Sequence, residues 1–187
     1  MSATKLKKIV FVCTGNTCRS PMAEYLLKKA LKKKKLRGFK VVSVGTKARK
    51  GDVMNEKSER TLAENGIAIG KFSSSPITEK ILKEALFFVC MTEAHKDLLM
   101  ELRWQVLRNA GEENIENNVY SFGELVGYDV PDPFGRDIEA YRCVYDMLDR
   151  GMSAIIEGLD LKNYALPTKK KIGEPGKRGR PKKNVNT

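Results

Sequence analysis

Apolar positions along the chain fall into two kinds of pattern. "KKIVFVC" (7–13), "FKVVSVG" (39–45) and "ALFFVCMT" (85–92) are short, nearly continuous apolar runs rich in β-branched and aromatic residues. Runs of this length predict strands buried on both faces. "NNVYSFGEL" (117–125) carries a further short strand. Helical spacing fills the stretches between. "PMAEYLLKKALKKKKL" (21–36) has an apolar face of Met22, Tyr25, Leu26, Leu27, Ala30 and Leu31, with Pro21 in the first turn, where proline is tolerated, and Gly38 beyond its end. "NEKSERTLAENGI" (55–67) predicts a polar helix closed by Asn65-Gly66, and helices are also predicted over 93–107 and 138–159. Two prolines and a glycine make 128–137 a loop. Strands alternating with helices predict an α/β fold: a three-layer sandwich in which a parallel sheet has helices on both faces.

Past Tyr164 the pattern fails. Residues 165–187 are rich in Pro, Gly and Lys, lack aromatics and hold few apolar residues. Such a segment buries too little surface to offset its ordering entropy, so a body over 1–164 and a disordered basic tail over 165–187 are expected. The 187 residues suit one domain with a full hydrophobic core. The net charge of +12 is uneven: residues 28–40 and the chain from Lys162 onward carry +8 each, which leaves −4 for the rest. A mildly acidic body with a basic helix end and a basic tail does not read as a nucleic-acid-binding fold. No run approaches the roughly 20 apolar residues of a membrane span. The basic start before Ile9–Val12 lacks a cleavage site of secretory type, so a cytoplasmic protein is expected. Four cysteines (Cys13, Cys18, Cys90, Cys143) are too few for a disulfide scaffold, and their spacing, with His95 the only histidine, argues against a metal centre. Neither metal nor cofactor is expected.

The chemistry gathers at "VFVCTGNTCRSPMAE" (10–24). Cys13 ends the first strand and a helix starts just behind it, so the loop 14–19 lies at a helix N-terminus beyond a strand's carboxyl end. Backbone amides and helix dipole there favour an anion, and with a nearby guanidinium they favour a thiolate over a thiol. Arg19 can grip two oxygens of a phosphoryl group in a way lysine cannot. Gly15 allows close backbone approach, and Ser20 can hydrogen-bond the thiolate. The spacing C-x5-R-S alone is unspecific, and a buried structural cysteine at a strand end is the alternative reading.

"VCTGNTCRSPMAE" closely resembles the active-site loop of the low-molecular-weight cysteine protein phosphatases. The resemblance extends over about residues 7–160, through "VVSVGT" (41–46), "LAENGIAIGKFSSSPIT" (62–78) and "PDPFG" (131–135). It implies a four-stranded parallel sheet, a phosphate loop after the first strand, and no metal. It further implies Cys13 as nucleophile, Arg19 as phosphate ligand and Asp132 as general acid, then base, with Asp129 a weaker candidate acid. Thr14, Gly15, Asn16, Thr17, Cys18 and Ser20 would form the substrate loop, with Asn16 shaping it and Ser43 supporting it. Phe134, beside the acid, could stack on substrate at the pocket mouth. Phosphorylated proteins are the implied partners, for a monomer or weak dimer with no membrane role. Thr17 stands where tyrosine-selective members usually carry an aliphatic residue, and this form resembles the bacterial phosphoarginine phosphatases, so phosphotyrosine and phosphoarginine both stay open.

Two alternatives accompany this reading. Arsenate reductases share the fold but relay oxidation through two further cysteines, whereas Cys90 and Cys143 read as core residues here. Cys18 lies five positions after Cys13, which allows either a reversible disulfide or simple packing. In the tail, "GKRGRPKK" (176–183) resembles an AT-hook, whose arginines could enter a narrow A·T minor groove; a solvated tail is the plainer reading. His95 reads as structural or surface.

Overall fold

The computed structural model describes residues 6–112 and 115–167. Four strands, β1 (Lys7–Cys13), β2 (Phe39–Gly45), β3 (Ala85–Cys90) and β4 (Val119–Ser121), form one parallel sheet in the order β2-β1-β3-β4. The helices among the described residues are α1 (Arg19–Lys33), α2 (Glu56–Glu64), α3 (Glu79–Glu84), α4 (Glu93–Asn109), α5 (Phe122–Val126), α6 (Ile138–Gly158) and α7 (Leu161–Tyr164).

Alternation along β1 sets the layers. Ile9, Phe11 and Cys13 join the core formed with α1 and α6, whereas Val10 and Val12 join the core formed with α3 and α4. All five are 0–2 % exposed, which is why the strand reads as an unbroken apolar run. The sheet order reverses direction at β1. The chain leaves β1 into α1 on one face and leaves β3 into α4 on the other, which opens a crevice beyond the carboxyl ends of the two strands.

Local chemistry moves several boundaries from the predicted ones. Helix α1 begins two residues early, so Pro21 is its third residue, where no intrahelical N–H is required. It ends at Lys33 because Lys35 turns left-handed (φ 56°) and the Lys35 and Leu36 amides bond back to Lys32 and Leu31, a Schellman closure without glycine. Helix α4 is capped by the Thr92 side chain, α6 by Asp137, and α5 by a Ser121–Glu124 capping box. The short helices α3, α5 and α7 were not expected, being too brief for a periodic signal. The backbone stays engaged just past Tyr164, since the Leu166 amide donates to the Arg37 carbonyl at 2.9 Å. The AT-hook-like segment 176–183 lies outside the described residues.

Two cysteines expected in the core part company. Cys90 is fully buried in β3, but Cys143 is exposed on α6. The apolar stripe of α6 runs through Tyr141, Val144, Tyr145 and Leu148, and Cys143 falls on the opposite side of the helix.

Candidate active site

Residues 14–18 join β1 to α1, and their carbonyls are held from outside. Thr46 N–H donates to Cys13 O and Lys47 N–H to Thr14 O, both at 2.9 Å, and Asn55 N–H donates to Thr17 O at 2.9 Å. The Ser74 hydroxyl donates to Gly15 O at 3.1 Å. With the acceptors thus occupied, the N–H groups of Gly15, Thr17, Cys18 and Arg19 have no partner among the described residues.

Asn16 fixes the shape of this turn. It is fully buried and left-handed at φ 53°, a conformation asparagine tolerates better than most residues. Its side-chain amide donates to the hydroxyls of Ser20 (3.0 Å) and Ser43 (2.9 Å), and its carbonyl oxygen accepts from Ser75 N–H (2.8 Å). Ser43 in turn donates to Glu24 at 2.6 Å. Gly45 supplies the room: a Cβ there would lie 2.5 Å from Thr14 O and 2.8 Å from Asn16 N. Ser43 is therefore a support beneath the loop, one hydrogen bond away from Asn16.

Cys13 faces into the turn, 2 % exposed. Its Sγ lies 2.9 Å from Ser20 Oγ and accepts from Asn16 N–H at 3.3 Å. Arg19 is 4 % exposed, and its guanidinium donates to Val130 O (3.2 Å) and to Asp132 Oδ2 (2.9 Å). The remaining oxygen of Asp132 accepts from Phe134 N–H at 3.2 Å, which braces the loop 131–135. Phe134 is 69 % exposed beside it. The structure thus brings Cys13, Ser20, Arg19 and Asp132 to one end of β1. Asp129 instead accepts from Glu93 N–H at 3.4 Å, at the start of α4.

Cys18 turns another way. Its thiol lies 3.7 Å from the Tyr141 hydroxyl and 3.6 Å from Thr17 Oγ1, and burial pushes its pKa up. Of Cys18, the free backbone N–H is the group left to the loop.

His95, read from the sequence as structural or surface, stands in the wall of the site. Nε2 lies 2.9 Å from Thr14 Oγ1 and Nδ1 lies 2.6 Å from Thr92 Oγ1. Thr14 Oγ1 also accepts from Arg19 at 3.5 Å. Half-burial, and next the Arg19 charge, lower the His95 pKa, so its neutral form is favoured. Glu24, Ser74 and Ser75 are further contributors that the sequence reading gave no role: Glu24 acts from α1 through Ser43, and Ser74 and Ser75 reach the loop from 59 positions away.

A sequence profile of the family described as "Low molecular weight phosphotyrosine protein phosphatase" matches residues 8–165. The chain belongs to this family. It is similar to a protein-arginine-phosphatase of Geobacillus stearothermophilus, 34% identical over 152 residues that cover 81% of this chain and 95% of the relative. It is also similar to the probable low molecular weight protein-tyrosine-phosphatase EpsP of Ralstonia solanacearum, 29% identical over 149 residues covering 80% and 93% of the two chains. Among solved structures, the YwlE arginine phosphatase from Geobacillus stearothermophilus superposes with a TM-score of 0.70 at 32% identity, covering 84% of this chain and 96% of that one. A YwlE mutant with a phosphorylated active site serine superposes with a TM-score of 0.71 at 31% identity, over 82% and 95% of the two chains. The protein is thus a protein phosphatase of the low-molecular-weight family, with the four-stranded parallel α/β sheet that the resemblance implied. No described helix is long and apolar enough to cross a membrane.

Proposed function

We propose that this phosphatase transfers a phosphoryl group from a protein side chain to Cys13 and then to water, with phosphoarginine as its preferred substrate. The observation that carries the mechanism is the setting of Cys13 Sγ. It accepts from Asn16 N–H, meets the Ser20 hydroxyl, and lies at the N-terminus of α1, whose first residue is the buried Arg19.

In the first step the Cys13 thiolate attacks phosphorus, and an S–P bond forms as the P–N or P–O bond to the side chain breaks. The loop's free N–H groups and the Arg19 guanidinium hold the equatorial oxygens as charge develops. Asp132 gives its proton to the departing nitrogen or oxygen. In the second step Asp132 takes a proton from water, the resulting hydroxide attacks phosphorus, and the S–P bond breaks to return the thiolate and release phosphate. The Ser20 hydroxyl stabilises that thiolate as it leaves. The phosphorylated active site serine of the YwlE mutant supports a covalent path on this fold.

The preference rests on Thr17. It is partly exposed in the loop, with its hydroxyl next to Gly15 and Cys18, and it gives the pocket a polar atom that can meet a guanidinium. The greater similarity to the arginine phosphatase than to EpsP supports the same choice. An arsenate relay is less well served: burial drives the Cys90 thiol well above its ordinary range, and Cys143 is exposed on α6.

The test is hydrolysis of phosphoarginine and phosphotyrosine by the wild type, Cys13→Ser and Thr17→Ile. Loss of both activities in Cys13→Ser is expected, with phosphoarginine preferred and the preference reversed in Thr17→Ile. A phosphotyrosine preference left unchanged by Thr17→Ile would overturn the specificity. Turnover of arsenate but of neither phosphorylated amino acid would overturn the hydrolytic reading.

A further inference from the structure

A sizeable cavity lies away from Cys13. A groove of about 900 Å³ runs between the second half of α1 and the outer edge of β2. Its floor is apolar, from Leu31, Leu36 and Phe39, and it reaches around the strand to Lys40 and Val42 on the other face. Five cations line it, Lys28, Lys32, Lys35, Arg37 and Lys40, against a single acid. That acid, Glu24, is already engaged by Lys28 and Ser43.

Part of the β2 edge lines the groove, through Phe39 and Val41. β2 is the outermost strand, with β1 on its inner side. Arg37 and Gly45 point their backbone groups outward, to Leu166 and Ser75, whereas Gly38 points inward to Lys7. Backbone direction alternates along a strand, so the N–H and C=O groups of Phe39, Val41 and Ser43 also face outward. Among the described residues none of these three is paired on that side. The described end of the chain does not supply the missing strand: Leu166 pairs antiparallel with Arg37, and no described residue pairs with the outer side of Phe39 or Val41. The tail is also basic and would be repelled.

An open strand edge, an apolar floor and a one-signed rim together specify a ligand. We propose that the α1–β2 groove binds an extended, acidic segment of a protein partner, which adds as a strand to the free edge of β2. Backbone hydrogen bonds would go to Phe39 and Val41, which line the groove. Acidic side chains would meet Lys32, Lys35 and Lys40, and alternate apolar ones would rest on the floor. The proposal goes beyond the hydrolytic reading and does not depend on it. For an enzyme acting on proteins, such a surface raises the local concentration of substrates that carry acidic segments.

The test uses the full chain and a fluorescein-labelled peptide of alternating glutamate and valine. Fluorescence anisotropy should show binding that weakens as salt rises. Lys32→Glu combined with Lys40→Glu should weaken it about tenfold, since both side chains flank the groove. Hydrolysis of small phosphorylated amino acids should be unchanged in that variant, which separates failure here from failure of the catalytic reading. Hydrogen exchange should slow at the Phe39 and Val41 amides and stay unchanged at Lys40 and Val42, which face β1. No peptide binding, or binding undiminished in the double variant, would overturn the proposal; the second result would place the peptide on the tail or elsewhere. Binding without the alternating protection would overturn strand addition. Displacement of the peptide by duplex DNA or anionic vesicles at lower charge concentration would overturn the choice of an acidic protein segment as occupant.

Discussion

Replacing Asn16 should separate what its side chain does from what its backbone conformation requires. The side-chain amide makes three hydrogen bonds, to Ser20, Ser43 and Ser75 N–H, from a fully buried position. A net contribution of about 1 kcal/mol per bond gives a loss of about 3 kcal/mol when the side chain is removed. The left-handed φ of 53° is free to glycine, but costs alanine about 1 kcal/mol more. Asn16→Gly should therefore lose about 3 kcal/mol and Asn16→Ala about 4 kcal/mol. For a chain of this size that corresponds to roughly 6–12 °C in Tm for the glycine variant, and a few degrees more for alanine. Thermal unfolding gives the ordering, and inhibition by inorganic phosphate reports the loop, which should bind phosphate more weakly in both variants. If alanine proves as stable as glycine, the conformational argument is wrong. If both variants match the wild type in stability and phosphate affinity, the side chain does not hold the loop.

Three further outcomes follow from the same geometry. Gly45→Ala places a methyl group against the backbone of Thr14 and Asn16, so it should cost about 1–3 kcal/mol by denaturant unfolding and reduce kcat disproportionately. Its stability should be largely regained only by variants that move the loop. Because the His95 pKa is lowered in the folded protein, the unfolded chain binds the extra proton first as pH falls; stability should drop as pH falls through about 6.5, and His95→Gln should flatten that part of the profile. Equal pH dependence in both proteins would remove His95 from the balance. Glu24→Gln keeps a hydrogen-bond acceptor for Ser43 and should retain most activity, whereas Glu24→Ala leaves the Ser43 hydroxyl without that partner and should lower kcat more than it raises KM.

How far the sequence could be read depends on how local each signal is. β1 was legible to the residue because a strand buried on both faces is a continuous apolar run, and β2 because Gly38 and Gly45 bound its β-branched stretch. The loop was legible because its chemistry is consecutive from Cys13 to Ser20. Helix α1 ended early because its closure uses Lys35 in a left-handed turn, a place where glycine would have been the signal. Contributors brought in by the fold were not legible. His95 reaches Thr14 across 81 positions, and Ser75 reaches Asn16 across 59. Cys18 shows the limit of spacing as an argument: five positions from Cys13, its thiol nevertheless turns to Tyr141 on α6. Cys143 was misassigned because one residue of helical phase separates the buried stripe of α6 from its exposed side.

The ion pair between Arg19 and Asp132 joins the two halves of the proposed reaction. Arg19 is almost wholly buried, while the Asp132 side chain is 52% exposed and sits on a loop. Removing the carboxylate from the guanidinium therefore costs little, since an exposed partner gains back its hydration. Removing the guanidinium from its fixed position would cost much more. An incoming phosphoryl group is a stronger, bidentate partner for the same fork, so substrate should take Arg19 and release Asp132 toward the leaving atom. Asp132→Asn tests the exchange. It removes a competing anion while keeping an oxygen that can accept from Phe134 N–H. Inorganic phosphate should then inhibit several-fold more strongly, while turnover falls because the proton donor is lost. Unchanged or weaker phosphate inhibition would mean that Asp132 does not compete for Arg19, and that the pair seen at 2.9 Å persists beside the bound anion.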